Sequence, residues 1–241
     1  VSKNITWRIS IEADTKDSFL HLFTYLLFSG MLLHSQGLGI SAAASGSKPE
    51  APDRLKINLM KEPLGVPKEN LSFSWAFEDQ DKNETQSAYQ LVISETTEDF
   101  QQGVYLFDSG WTKNANSAGV MPEGISGKLQ DNRLNYWAVQ DSESLESPLS
   151  QPQAFVTEVG DEWAGKNGVW GDADQKFVFF RSVFSLLKPV EKVVANVTAG
   201  STEPSRQFVY QFYLNGALVG LGPAEKNGAS QYYNTYDLTP L

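Results

Sequence analysis

The sequence lacks cysteine entirely and contains only two histidines, His21 and His34, both in the N-terminal segment. Without cysteine there can be no thiol catalysis, no disulfide bond and no cysteine-ligated zinc. If the N-terminal segment is removed, Ser-His and Cys-His catalysis and histidine-ligated metals are excluded as well. We therefore predict that the folded part of the chain holds no cofactor and no metal site.

Clustered positive charge is also missing. The 241 residues include 19 Lys and Arg against 29 Asp and Glu, a net charge of -10. Nucleic-acid binding depends on basic patches, so nucleic acid is not an expected partner. With 41% hydrophobic and 20% charged residues, the composition is that of a soluble globular protein, and the 12% aromatic content fits β-sheet faces.

The longest apolar stretch is short, at residues 19–33 (FLHLFTYLLFSGMLL). A spanning helix needs about 20 apolar residues, whereas a secretory signal needs fewer, and Ala42, Ala43 and Ala44 form an A-x-A-like cleavage site. Residues 1–44 are interpreted as a signal peptide, with an upstream extension before about Ser18, where acidic residues balance the basic ones. Export to the periplasm or the exterior, with no stable membrane span after processing, is therefore expected. A buried core helix is the alternative.

After a Ser/Gly/Pro linker at 45–53, residues 54–157 contain short alternating strands separated by turn residues. This pattern predicts an all-β, fibronectin- or Ig-like β-sandwich without sustained helical periodicity. The predicted strands are 55–59, 71–77, 88–94, 104–107, 134–139 and 154–157.

Residues 158–241 are predicted to form a second, partial β-sandwich. Strands are expected at 177–184 and 190–198, and 208–220 read as a hairpin around Asn215-Gly216, the dipeptide most typical of a type I′ turn. A last strand-like run lies at 232–238.

Aromatic residues are the candidate binding residues. Trp75, Tyr89 and Trp137 lie at alternating strand positions and are expected to fill the core. Exposed aromatic rings that could stack on a sugar are predicted at Trp111, Trp170, Tyr232 and Tyr233.

Several motifs, in their order along the chain, resemble the N-terminal β-sandwich domains of large bacterial α-L-rhamnosidases. In the first region these are LSFSW, QSAYQLVIS, LFDSG and LNYWAVQD, at residues 71–75, 86–94, 106–110 and 134–141. In the second they are DEW, FRSVF, YLNG and YNTYDLT, at residues 161–163, 180–184, 213–216 and 233–239.

The resemblance implies a galactose-binding-like jelly roll for residues 158–241, truncated at its C-terminal end, and a catalytic (α/α)₆ barrel following it in the family. The barrel carries the paired carboxylates of glycoside hydrolysis, so no residue here is assigned as catalytic. The expected role is that of the non-catalytic N-terminal region of a secreted α-L-rhamnosidase. Its partners would be its own barrel and rhamnose-containing glycans. The alternative is a stand-alone carbohydrate-binding or surface β-sandwich protein.

Overall fold

The computed structural model describes residues 5–15, 49–77, 86–142, 145–160, 177–183, 190–201, 208–225 and 232–241. The predicted all-β class is confirmed, because within these ranges the chain forms strands and one short helix. In chain order these elements are β1 (Ile5–Thr15), β2 (Asp53–Ile57), β3 (Phe73–Ala76), β4 (Ala88–Ser94), α1 (Thr97–Gln102), β5 (Phe107–Asp108), β6 (Thr112–Lys113), β7 (Leu134–Ser142), β8 (Gln153–Val156), β9 (Val190–Ser201), β10 (Tyr210–Leu214), β11 (Ala217–Gly222) and β12 (Asn234–Asp237).

Elements β2 to β8 form the first sandwich. One sheet pairs β2 with β3, and the other has the order β5-β4-β7-β8 with β6 also pairing with β4. Alternate residues of β4 and β7 point into the space between the sheets, as the period-two pattern predicts. This inner face carries Tyr89, Leu91, Ile93, Trp137 and Val139.

The aromatic core of this sandwich confirms the core-filling interpretation of three of its aromatic residues. Trp137 is 1% exposed and meets Phe73 edge-on, with the ring centroids 4.9 Å apart. Trp75 packs edge-on against Tyr89, and its indole nitrogen donates a 3.0 Å hydrogen bond to Gln86 Oε1. This bond satisfies a polar group that burial would otherwise leave without a partner.

The segment after β4 differs from the prediction of a strand at 104–107. Helix α1 occupies Thr97–Gln102, and strand pairing begins only at Phe107. The helix starts at a capping box, in which Thr96 Oγ1 accepts from the Asp99 amide and the Asp99 carboxylate accepts from the Thr96 amide. Six residues are too few to show a helical period, so this capping pattern was the available sequence signal.

The second region has a three-stranded sheet with the order β1-β9-β12, and the β10–β11 hairpin packs against it. The residues in this smaller core include Val193, Val197 and Tyr210. Gly220 and Gly222 allow the close approach of the hairpin, because a Cβ atom at either position would overlap the ring of Tyr236 or Tyr210.

The predicted Asn-Gly turn is confirmed. Asn215 has a φ of 52° and Gly216 a φ of 86°, and the two residues connect β10 to β11. Positive φ at both central positions is what a type I′ turn requires. The returning strand extends to Gly222, two residues beyond the predicted end.

Strand β1 was not predicted, since residues 1–44 were interpreted as a signal peptide with an upstream extension. In the structure Ile5–Thr15 pairs antiparallel with β9, from Ile5 opposite Ser201 to Thr15 opposite Val190. The sequence signal was the alternation of Ile5, Trp7, Ile9 and Ile11 with polar residues. The apolar stretch 19–33 and the Ala42–Ala44 site lie outside the described residues. No helix in the described ranges is long and apolar enough to cross a membrane.

The prediction of a strand at 177–184 is wrong for its described part. Residues 177–183 form no strand in the structure, and most of their apolar side chains are exposed, with Phe177 at 86% and Phe179 at 97%. An alternating apolar pattern indicates a strand only if a neighbouring strand is available to pair with it.

Candidate functional site

Trp111 is held on the surface by a β-bulge between β5 and β6. Asp108 lies opposite Val92 of β4, and Thr112 lies opposite Tyr89. The Ser109 amide donates to the Leu91 carbonyl, and the Leu91 amide donates to Ser109 Oγ, so Ser109 lies opposite Leu91. Two residues, Gly110 and Trp111, therefore lie opposite the single residue Gln90. Gly110 has a φ of 58°, the left-handed conformation found at the first position of a G1 bulge. The indole that follows is 41% exposed.

Beside this bulge, three polar side chains form a hydrogen-bonded row across the outer face of the larger sheet. Gln140 Nε2 donates to Gln90 Oε1 at 2.7 Å, and Gln90 Nε2 donates to Asp108 Oδ1 at 2.8 Å and Oδ2 at 3.0 Å. The Gly110 amide also donates to Asp108 Oδ1, at 2.8 Å. Gln90 lies directly opposite Gln140 and Asp108 opposite Val92, so these side chains share the face opposite the core.

The other end of the same outer face is covered by the second region. Leu134, Tyr136 and Val156 of the first sandwich form one buried cluster with Val194 of β9, and Phe100 of α1 packs against it. We call this contact the junction. It explains why Leu134 and Tyr136, which alternate with the core residues of β7, are buried as well.

Polar side chains also connect the two regions at the junction. Asn196 of β9 is 2% exposed, and its Nδ2 donates to Asn132 Oδ1 at 3.1 Å. The Asn196 Oδ1 accepts from Thr235 Oγ1 of β12 at 2.7 Å. Such buried polar groups are stabilising only when paired, so the pairing restricts how the second region sits on the first.

The predicted candidates Tyr232 and Tyr233 lie beside β12 and near this junction, and neither has a hydrogen bond or ring contact with Trp111 among the described residues. The Tyr233 hydroxyl accepts from the Val159 amide at 3.4 Å, and burial raises the pKa of Tyr233. Tyr233 therefore connects β12 to the end of the first sandwich. Tyr232 is 44% exposed, and its backbone carbonyl accepts from Thr198. Trp170 lies outside the described residues.

Two acidic residues, Glu158 and Asp131, lie near Tyr233, and their charges also raise its pKa. Lys68 Nζ lies 2.6 Å from Asp131 Oδ1, and this contact raises the pKa of Lys68. Burial raises the pKa of Glu158, as do the nearby charges of Glu69 and Asp131, while Lys68 opposes the shift. Within the described ranges, no group of three acidic or histidine side chains is arranged to hold a metal ion.

Comparison with protein families gives a match for the first sandwich. Residues 52–161 match the model of the Rha78A-like N-terminal immunoglobulin domain. This match confirms the resemblance inferred from the motifs of the first region, and it confirms the Ig-like fold there.

Similar proteins point to the same group. The chain is 25% identical to an α-L-rhamnosidase from Formosa agariphila over an alignment of 244 positions, which covers 93% of this chain and 24% of that protein. It thus spans about a quarter of the length of that curated relative.

Solved structures also match part of the chain, among them two α-L-rhamnosidases. The α-L-rhamnosidase from Dictyoglumus thermophilum is 32% identical, with a TM-score of 0.42, and the match covers 46% of this chain and 13% of that one. The Streptomyces avermitilis α-L-rhamnosidase complexed with L-rhamnose is 20% identical, with a TM-score of 0.41, over 46% of this chain and 11% of that one.

Proposed function

We propose that this chain, whose residues 52–161 are the N-terminal immunoglobulin domain of an α-L-rhamnosidase-like protein, supports the catalytic barrel of a secreted α-L-rhamnosidase. The full-length enzyme would hydrolyse terminal α-L-rhamnosyl residues of glycans. The observation that carries the proposal is the similarity to an α-L-rhamnosidase over 93% of this chain, because it includes both β regions and not the first sandwich alone.

The junction supports this role mechanically. A shared apolar cluster and the Asn132–Asn196–Thr235 hydrogen bonds join the two regions. Two β regions joined in this way can hold a neighbouring domain in one orientation, whereas a flexible tether cannot.

The outer face of the β10–β11 hairpin is the surface we assign to the barrel. Val209, Tyr213, Leu218 and Leu221 are exposed there, while the inner face packs on β9 and β12. Exposed apolar patches of this kind mark interaction surfaces in soluble proteins.

The first experiment is to sequence the gene past the codon for Leu241 and to express the complete reading frame. We expect several hundred further residues with helical periodicity, and hydrolysis of p-nitrophenyl α-L-rhamnopyranoside by the product. A stop codon directly after Leu241 would overturn the proposal and favour a stand-alone β-sandwich protein.

A second experiment tests the assigned surface in the complete protein. The Leu221→Asp variant places a charge on the hairpin's outer face and should lower the melting temperature of the barrel, because burying an unpaired charge is costly. Leu145→Asp, at a similarly exposed position of the first sandwich, is the matched control. Equal melting temperatures for the two variants would show that the barrel packs elsewhere.

A further inference from the structure

We propose that the outer face around Trp111, Gln90, Asp108 and Gln140 binds the ring of a neutral pyranose sugar. This face belongs to the first sandwich and is separate from the hairpin face assigned to the barrel. The inference therefore goes beyond the support role and does not depend on it.

The bulge determines where the indole lies. A regular β5–β6 connection would place one residue opposite Gln90, but the additional residue at Gly110 puts Trp111 there as well. Bulges re-aim single side chains in this way, and they occur often beside binding sites. Trp111 thus lies on the same face as the hydrogen-bonded row, which is the face opposite the core residue Tyr89.

The indole offers two kinds of contact to a sugar. Its exposed surface can stack on the C–H groups of a pyranose ring, the usual contact between aromatic side chains and apolar ring faces. Among the described residues, the Trp111 N–H has no hydrogen-bond partner, so it can donate to a sugar hydroxyl.

The hydrogen-bonded row of Gln140, Gln90 and Asp108 holds donors and acceptors in fixed positions for a ligand. Each amide donates toward the carboxylate, from Gln140 to Gln90 and from Gln90 to Asp108, so the side chains hold one another in position. The side chain of Gln140 makes one hydrogen bond with the described residues, from Nε2 to Gln90. Its Oε1 and its second N–H therefore remain available to a ligand. Asp108 Oδ2 can accept from a hydroxyl, and this bond is strengthened by the carboxylate charge.

The negative charge of Asp108 determines which class of sugar we expect this face to bind. Asp108 is exposed at the edge of the row, and the chain carries a net charge of -10. An anionic sugar such as a uronic acid would place its carboxylate near Asp108 and be repelled. Lys113 lies on the same face, opposite Ala88, and Trp111 separates it from Asp108 along the chain. A neutral pyranose is therefore the expected ligand class.

The test is an NMR titration of the 241-residue chain. The probes are methyl α-L-rhamnopyranoside and methyl α-D-glucopyranoside, with sodium glucuronate as the charged comparison. We expect saturable shifts of the Trp111 indole N–H and of the Gln90 and Gln140 side-chain amides with at least one neutral glycoside. For a ligand of this size we expect weak binding, with a Kd of roughly 1 mM.

Variants assign the binding to this face. Trp111→Ala should raise Kd by about tenfold or more, since it removes the stacking surface. Asp108→Asn keeps an oxygen for the Gly110 amide but removes the charge, and it should weaken binding of the neutral glycosides. Tyr232→Ala, which removes another exposed aromatic ring, is the matched control and should leave Kd unchanged.

Three results would overturn the proposal: no saturable shift with either neutral glycoside, unchanged binding in Trp111→Ala, or equal binding of glucuronate. The outcome is independent of the barrel. Rhamnosidase activity of the complete protein without sugar binding here would reject this face alone, and binding here with a stop codon after Leu241 would reject the support role alone.

Discussion

Fifteen apolar residues form one buried cluster in the first sandwich, whereas the cluster beneath the β10–β11 hairpin contains six among the described residues. Large aromatic side chains such as Trp137, Phe73 and Phe155 are fully buried in the first region. In the second region, by contrast, the apolar residues Phe179, Val209 and Leu221 are exposed. Because buried apolar area is the main source of stability, the first sandwich should be stable by itself, and the second region should depend on its neighbours.

Two different kinds of contact support β9 and β12 of the second region. Strand β1 covers one edge of β9 through backbone pairing, and the first sandwich covers part of the sheet through the junction. Without β1 only the β9–β12 pair would remain of this sheet, and such a pair needs cover because unpaired edges and open apolar faces favour aggregation. We therefore expect the stability of the second region to depend on contacts between residues distant in sequence.

The largest loss of stability is expected from a substitution in the core of the first sandwich. Trp137→Ala should lower the free energy of unfolding by about 3–5 kcal/mol, because it leaves a cavity beside Phe73 that the sheets cannot close. Urea unfolding monitored by circular dichroism measures the change. Trp111→Ala is the control, with an expected change within about 0.5 kcal/mol. Similar losses in the two variants would contradict the assignment of Trp137 to the core and of Trp111 to the surface.

A smaller effect is expected when β1 is removed. Deleting residues 1–17 takes away the backbone partners of β9 along one edge, so the β9 amides should exchange with solvent about tenfold faster. Hydrogen exchange followed by mass spectrometry measures this, with the β4–β7 pairing as the internal reference. Unchanged protection of β9 would mean that β1 contributes nothing to the second region. Cleavage after Ala44, as predicted from the sequence, would have the same consequence as this deletion.

The smallest effect concerns pH at the junction. The pKa of Glu158 is raised by burial and by the charges of Glu69 and Asp131. The folded protein therefore binds more protons than the unfolded chain between the unfolded and folded pKa values of this group. Its contribution to stability is complete below the unfolded pKa and is lost as pH rises through the folded pKa.

Glu158→Gln removes this dependence. The variant should melt at a slightly higher temperature than the parent protein at pH 7, and the difference should disappear near pH 4. Thermal melts across this range measure the effect, and Glu123→Gln, at an exposed position, is the control. A lower melting temperature of Glu158→Gln at pH 7 would show that the glutamate makes a net favourable contact.

Several features of the fold could be predicted because their signals are local. The alternation in 88–94 and 134–139 predicted β4 and β7, and Asn215-Gly216 predicted the hairpin. The order of short motifs also predicted the family that matches residues 52–161. Of the four aromatic candidates, Trp111 and Tyr232 have exposed rings in the structure, but sugar binding by either stays a prediction.

The sequence by itself determined which segments can be strands, where the tight turn lies and that large aromatic residues fill the first core. These properties depend on side-chain period and on backbone φ, which neighbouring residues define. Only the tertiary structure decided that β1 pairs with β9, that residues 177–183 form no strand, that Tyr233 connects the two regions and that a bulge places Trp111 opposite Gln90. Each of these depends on which distant strand supplies hydrogen-bond partners, and a local pattern does not specify that partner.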